Sequence, residues 1–257
     1  MSSNPYAAPK TAVADATVSQ GNFIPGGRGV GAGRGWDWIA SGWGLFKRQP
    51  GTWIGLTLVG LLIFIAIGII PFVGSLALAL LGPVFAAGVI LGCRALEDGA
   101  ELQVGHLFAG FRDKLGSLAA IGALNLVAQI LIMVVVMLIT GASMFAMMRG
   151  GGQADATGMS AGILLAGLIA AALMIPVAMA VWFAPALVVL NGRGTVEAMK
   201  ESFAGCLKNI VPYLLYGVVL FILAILASVP LALGWLVLGP VIAASVYTAY
   251  RDIYYTE

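Results

Sequence analysis

Between Arg48 and Arg94 the chain runs for 45 residues without a charged side chain, and a second charge-free run covers residues 115–148. Water cannot solvate stretches of this kind. About 20 apolar residues suffice to cross the hydrocarbon core of a bilayer. The first run therefore holds two crossings and a tight turn, while the second is longer than one crossing at about 1.5 Å per residue and must tilt, bend or protrude. Hydrophobic residues make up 61 % of the chain and charged residues only 9 %, with a mean hydropathy of +1.02. That balance places the chain among integral membrane proteins.

Six spans follow from the apolar runs, over residues 53–70, 76–93, 115–148, 163–190, 210–229 and 231–250, with Pro176 and Pro185 interrupting the fourth. An amphipathic stretch precedes each pair. Trp36, Ile39, Ala40, Trp43 and Phe46 share one helical face. Val104, Leu107, Phe108, Phe111 and Leu115 repeat that spacing, and so do Val196, Met199, Phe203, Leu207 and Ile210. Such faces suit the headgroup layer, where tryptophan keeps its N–H wet and its ring in hydrocarbon. The expected architecture is an all-α integral membrane protein, with six transmembrane helices forming three parallel-repeat hairpins. An interfacial helix precedes each hairpin, and the units are residues 34–100, 101–192 and 193–257. Two windows of 14 residues, 81–94 and 238–251, support the duplication, because they match at eight positions including Leu-Gly-Pro-Val and the closing arginine. Two crossings per unit make the repeats parallel rather than inverted.

Charge sets the expected orientation. Twelve of the 13 Lys and Arg residues fall on one side of this topology and only Arg149 on the other, which places both termini in the cytoplasm. Residues 1–33 form a cytoplasmic tail rich in Ala, Gly, Ser and Pro, expected to be disordered and lacking the features of a signal peptide. Within it, Asn4, Pro5, Tyr6 and Pro9 make an extended segment that a partner's groove could read, or else an inert stretch.

The pattern excludes several functions. A net charge of +2 with dispersed basic residues does not imply nucleic acid. Cys93 and Cys206 fit neither a metal spacing nor a disulfide framework and read as small packing residues. No ionisable residue falls inside a span, His106 stands alone, and no catalytic, metal or cofactor constellation emerges. An enzyme is not expected.

The remaining candidates each have two readings. Asn125 and Gln129 share a face of the third span and either line a polar path or glue helices together at roughly 1 kcal/mol per contact. Pro83 and Pro240 each free a backbone carbonyl at matching places in the repeat, as transporter sites do and as ordinary proline kinks also do. Arg94, Arg251, Lys47, Arg48 and Lys208 are candidates for anionic headgroups, with simple positive-inside anchoring as the other reading. Glu97, Asp98 and Glu101 read as a solvated connection. Tyr247, Tyr250, Tyr254 and Tyr255 read as an interfacial aromatic belt.

Gly35-Trp36, the run from Trp43 to Phe46 with Pro50, the Leu-Gly-Pro block, the run from Phe183 to Leu187, and the run from Tyr247 to Asp252 carry a resemblance. Over residues 35–255 the chain resembles a family of uncharacterised proteobacterial six-span inner-membrane proteins. More loosely it is similar to the membrane domain that accompanies glycerophosphodiester phosphodiesterases, although no phosphodiesterase domain is present. The Asn4–Pro9 segment also resembles an Asn-Pro-Tyr-x-x-Pro opening of other bacterial inner-membrane proteins. The resemblance implies fold and location and assigns no reaction. The expected function is a non-enzymatic scaffold, partner-binding or envelope-homeostasis protein, whose partners are the lipid bilayer and, through the tail, another membrane protein. The alternative is a small transporter or lipid-handling protein. Homo-oligomers and monomers fit the small-residue faces equally.

Overall fold

The computed structural model describes residues 21–149 and 156–256. Their regular structure is helical, apart from one isolated antiparallel bridge between Phe23 and Tyr255. The order is α1 Arg34–Arg48, α2 Pro50–Gly68, α3 Val73–Glu97, a 3-10 turn Val104–Phe108, α4 Gly110–Asp113, α5 Leu115–Arg149, α6 Ala156–Trp182, α7 Ala184–Asn191, α8 Thr195–Lys208, α9 Ile210–Ser228 and α10 Trp235–Tyr254. Five segments are long and apolar enough to cross a membrane: Pro50–Gly68, Val73–Glu97, Leu115–Phe145, Gly162–Asn191 and Ile210–Ser228. The segment expected as a sixth span corresponds to α10. Its final turns carry tyrosines, Arg251 and Asp252, and α1, α2, α3 and α9 surround it. α10 is not among the five.

Local chemistry explains the breaks. Pro50 opens α2, where its missing N–H costs nothing. The fourth apolar stretch divides at Phe183 into α6 and α7, because Pro185 lies in the first turn of α7. Pro176, by contrast, is accommodated inside α6.

The amphipathic segments bury a different face from the one their large apolar residues suggest. In α1 the buried face is Gly35, Trp38, Ile39, Gly42, Leu45 and Phe46, while Trp36 and Trp43 are exposed. In α8 it is Ala198, Ser202, Gly205 and Cys206, while Val196, Leu207 and Ile210 are exposed. The reason lies in close approach. A Cβ on Gly35 would fall 2.3 Å from the Pro212 carbonyl oxygen, and one on Gly42 would fall 2.8 Å from the Ser245 nitrogen. In lipid, backbone proximity drives helix association, so small residues mark the packing side. The second segment is not one helix but a 3-10 turn and the four-residue α4, with Leu107 buried and Phe108 exposed.

Each of these segments packs on a hairpin that is not its own sequence successor. α1 lies on α9 and α10, the 3-10 turn and α4 lie on α2 and α3, and α8 lies on α5, α6 and α7.

Residues 22–30, expected to belong to the disordered tail, are hydrogen-bonded to segments far along the chain. Ile24 N–H donates to the Tyr254 carbonyl and Arg28 N–H to the Ile253 carbonyl, both at 2.8 Å. Buried Asn209 accepts from Val30 N–H and donates to the Arg28 carbonyl, each at 2.8 Å. Glycine-rich composition hid the contact, since it is the backbone that pairs. Asn4, Pro5, Tyr6 and Pro9 lie outside the described residues.

Candidate functional site

The last turns of α10 carry the polar centre of the molecule. Asp252 is buried, its side chain 5 % exposed, and it draws donors from three residues at the opposite end of the sequence. Arg34 Nε donates to Oδ2 at 2.8 Å and its Nη2 to Oδ1 at 2.7 Å. Arg28 Nη2 donates to Oδ1 at 3.2 Å and its Nε to the Asp252 carbonyl at 2.9 Å. Trp38 Nε1 donates to Oδ2 at 2.8 Å. Burial opposes ionisation of this carboxyl, but the Arg34 and Trp38 hydrogen bonds and the charges of Arg34 and Arg28 outweigh it and hold it below its ordinary value.

A second ion pair stands beside the first. Arg251 and Glu97 form an ion pair, Nε to Oε2 at 3.2 Å, and the Tyr247 hydroxyl donates a hydrogen bond to the same oxygen. The Arg251 guanidinium also lies 4.4 Å from the centre of the Tyr255 ring. At the end of α1, Arg48 donates to the Leu96 carbonyl. Together these groups line a cleft of about 440 Å³ that includes Arg28, Arg34, Arg48, Glu97, Arg251 and Asp252. Its described lining has four guanidinium groups and two carboxylates.

Beneath the cleft lies an aromatic floor. Tyr247, Tyr250 and Tyr254 are buried rather than forming an interfacial belt. Tyr250 and Tyr254 stack at 5.4 Å, Tyr254 meets Phe183 edge-on at 5.5 Å, and the Tyr254 hydroxyl donates to the Glu201 carbonyl at 2.8 Å. Burial raises the Tyr254 hydroxyl well above its usual range. It therefore acts as a neutral donor.

The sequence candidates distribute unevenly. Arg48 and Arg251 reach the cleft. Lys47 is exposed on α1 outside it, and Arg94 pairs with Asp98 at 3.3 Å across one helical turn. Lys208 is a tether, donating to the carbonyls of Gly26 and Gly27 at 3.0 and 2.7 Å. His106 accepts from Gln103 N–H in a local cap. Cys93 and Cys206 are free and buried. Pro83 and Pro240 are both buried. Gly82, Gly239 and Pro240 face one apolar cavity of about 440 Å³ between α2, α3 and α10. Asn125 is half-buried and Gln129 exposed on α5, away from both cavities.

The sequence alone does not mark Asp252, Arg28, Arg34, Glu97, Trp38 or Asn209 as site residues. The one available signal was an aspartate closing a tyrosine-rich apolar helix, where an unpaired carboxylate would be costly.

A family model described as a domain of unknown function (DUF7847) matches residues 49–251. No curated protein and no solved structure matches the chain.

Proposed function

The chain belongs to the DUF7847 family, and from that premise we propose a non-enzymatic, six-span protein of a bacterial inner membrane that serves as a scaffold. In this reading the N-terminal segment around Asn4, Pro5, Tyr6 and Pro9 docks another membrane protein, and the arginine-lined cleft anchors its root. Gly21, the first described residue, lines that cleft.

The observation that carries the reading is the meeting of the two chain ends. Residues 22–28 bond to residues 252–256, which favours an even number of crossings. Five alone would leave the ends on opposite faces, so α10 is assigned as the sixth. The arrangement of amphipathic segments, each seated on a hairpin of another unit, supports the three-unit organisation. The basic residues of the cleft favour a cytoplasmic location for this face. The likeness to membrane domains beside glycerophosphodiester phosphodiesterases remains part of the same proposal.

Lipid handling is the second reading, and a separate observation favours it: Gly82 of α3 and Gly239 and Pro240 of α10 line one apolar cavity. Its lining suits an acyl chain better than a polar solute.

Crosslinking in native membranes, followed by affinity purification and mass spectrometry, tests the scaffold. The comparison is the full chain against one lacking residues 1–20. A discrete protein captured only by the full chain is the expected result; identical captures from both would count against a docking tail.

A further inference from the structure

Two arginines of the cleft keep donor groups that the fold does not use. Arg251 faces Glu97 as an ion pair at 3.2 Å and lies over the Tyr255 ring, and its guanidinium donates no hydrogen bond among the described residues. Arg48 is exposed. It donates to a main-chain carbonyl, and among the described residues no carboxylate pairs with it. Arg28 and Arg34, by contrast, are engaged with Asp252.

We propose that this cleft binds a phosphate-bearing anion, the headgroup of an acidic phospholipid or a free phosphate ester, with Arg48 and Arg251 as its principal contacts. Guanidinium presents paired N–H donors in a planar fork that matches phosphate oxygens. The cationic excess of the lining leaves a charge that such an anion compensates. At about 440 Å³ the cleft has room for a headgroup rather than a single ion, given that a water takes ~30 Å³.

Position favours the lipid source. Arg48 lies two residues before the span Pro50–Gly68, and Glu97 is the last residue of the span Val73–Glu97. The cleft is therefore level with the ends of two membrane helices, where acidic headgroups concentrate. Ser41 also lines it and is exposed. This ligand goes beyond the scaffold reading and does not depend on it, since capture of a protein through residues 1–20 is scored without any lipid measurement.

The test is calorimetric titration of the full chain in a mild non-ionic detergent with three probes: dihexanoyl phosphatidic acid, dihexanoyl phosphatidylcholine and inorganic phosphate. Phosphatidic acid should bind about tenfold more tightly than phosphatidylcholine, with affinity falling as salt rises. Arg48→Gln should weaken it about tenfold. Ser41→Glu, which adds a negative charge without touching the Asp252 contacts, should do the same. Thermal unfolding of each variant checks that the fold is intact. Inorganic phosphate binding as well as the lipid, with the same loss in both variants, would support the anion site and assign it to soluble esters. Equal binding of phosphatidic acid and phosphatidylcholine, or folded variants that bind phosphatidic acid like the parent, would overturn the proposal.

Discussion

Arg34 grips Asp252 with two hydrogen bonds, Nε to one carboxylate oxygen at 2.8 Å and Nη2 to the other at 2.7 Å, across a separation of 218 residues. The pair closes the chain on itself at one end of the helix bundle. Because Trp38 and Arg28 donate to the same carboxylate, Asp252 holds α1, the segment preceding it and α10 in one arrangement.

Removing that charge should therefore loosen the bundle. Asp252→Asn is expected to cost about 3 kcal/mol, the scale for breaking a buried charged pair from one side. Asp37→Asn, which touches only an exposed pair with Arg34 at 3.8 Å, should cost less than ~0.5 kcal/mol. Thermal unfolding of both variants in the same detergent measures the difference.

Acid should act through the same residue. The folded pKa of Asp252 lies below its ordinary value of 3.8, so the carboxylate contributes stability that is fully present above that value. The contribution is lost as pH falls through the lower, folded pKa. Unfolding midpoints measured from pH 6 down to pH 2 should drop below about pH 4 in the parent. In Asp252→Asn this part of the drop should be missing.

Helix proximity gives a steric prediction. A side chain at Gly42 would meet the backbone of α10, whereas Gly51 has open space around its Cβ position. Gly42→Val should destabilise by ~1–3 kcal/mol through overpacking. Gly51→Ala should leave stability unchanged or slightly raised, since alanine is the better helix former. Thermal unfolding distinguishes the two.

If α10 crosses the membrane, the turn before it and the residue after it face opposite compartments. Single cysteines replacing Leu231, which is 91 % exposed, and Thr256 should react with an impermeant maleimide from opposite sides of sealed vesicles. Buried Cys93 and Cys206 give little background. Labelling of both new cysteines from one side would show that α10 does not cross.

The helices were largely legible from sequence, because charge-free runs have a length that only a bilayer explains. α2, α3, α5 and α9 fall where the apolar runs lie. The packing faces were harder to read. Spacing of large residues drew attention to Trp36 and Trp43, yet Gly35, Trp38 and Gly42 form the contact side of α1. In a soluble protein the bulky apolar stripe seeks the core, but lipid accepts it equally well, so small residues decide the interface. The cleft was least legible. Arg251 reads as a membrane-surface charge, whereas its neighbour Asp252 gains meaning only when Arg28, Arg34 and Trp38 arrive from the far end of the chain. No local pattern announces a contact of that range, and the glycine-rich stretch that delivers Arg28 has the composition of a disordered tail.

The meeting of the two ends is the central claim, and an engineered disulfide tests it most directly. Phe23 and Tyr255 form the antiparallel bridge, with ring centres 5.7 Å apart. With Phe23→Cys and Tyr255→Cys combined in one chain, mild oxidation of native membranes should give an intramolecular crosslink that requires both cysteines and is reversed by reductant. No crosslink, although each cysteine reacts singly with a maleimide, would contradict the account.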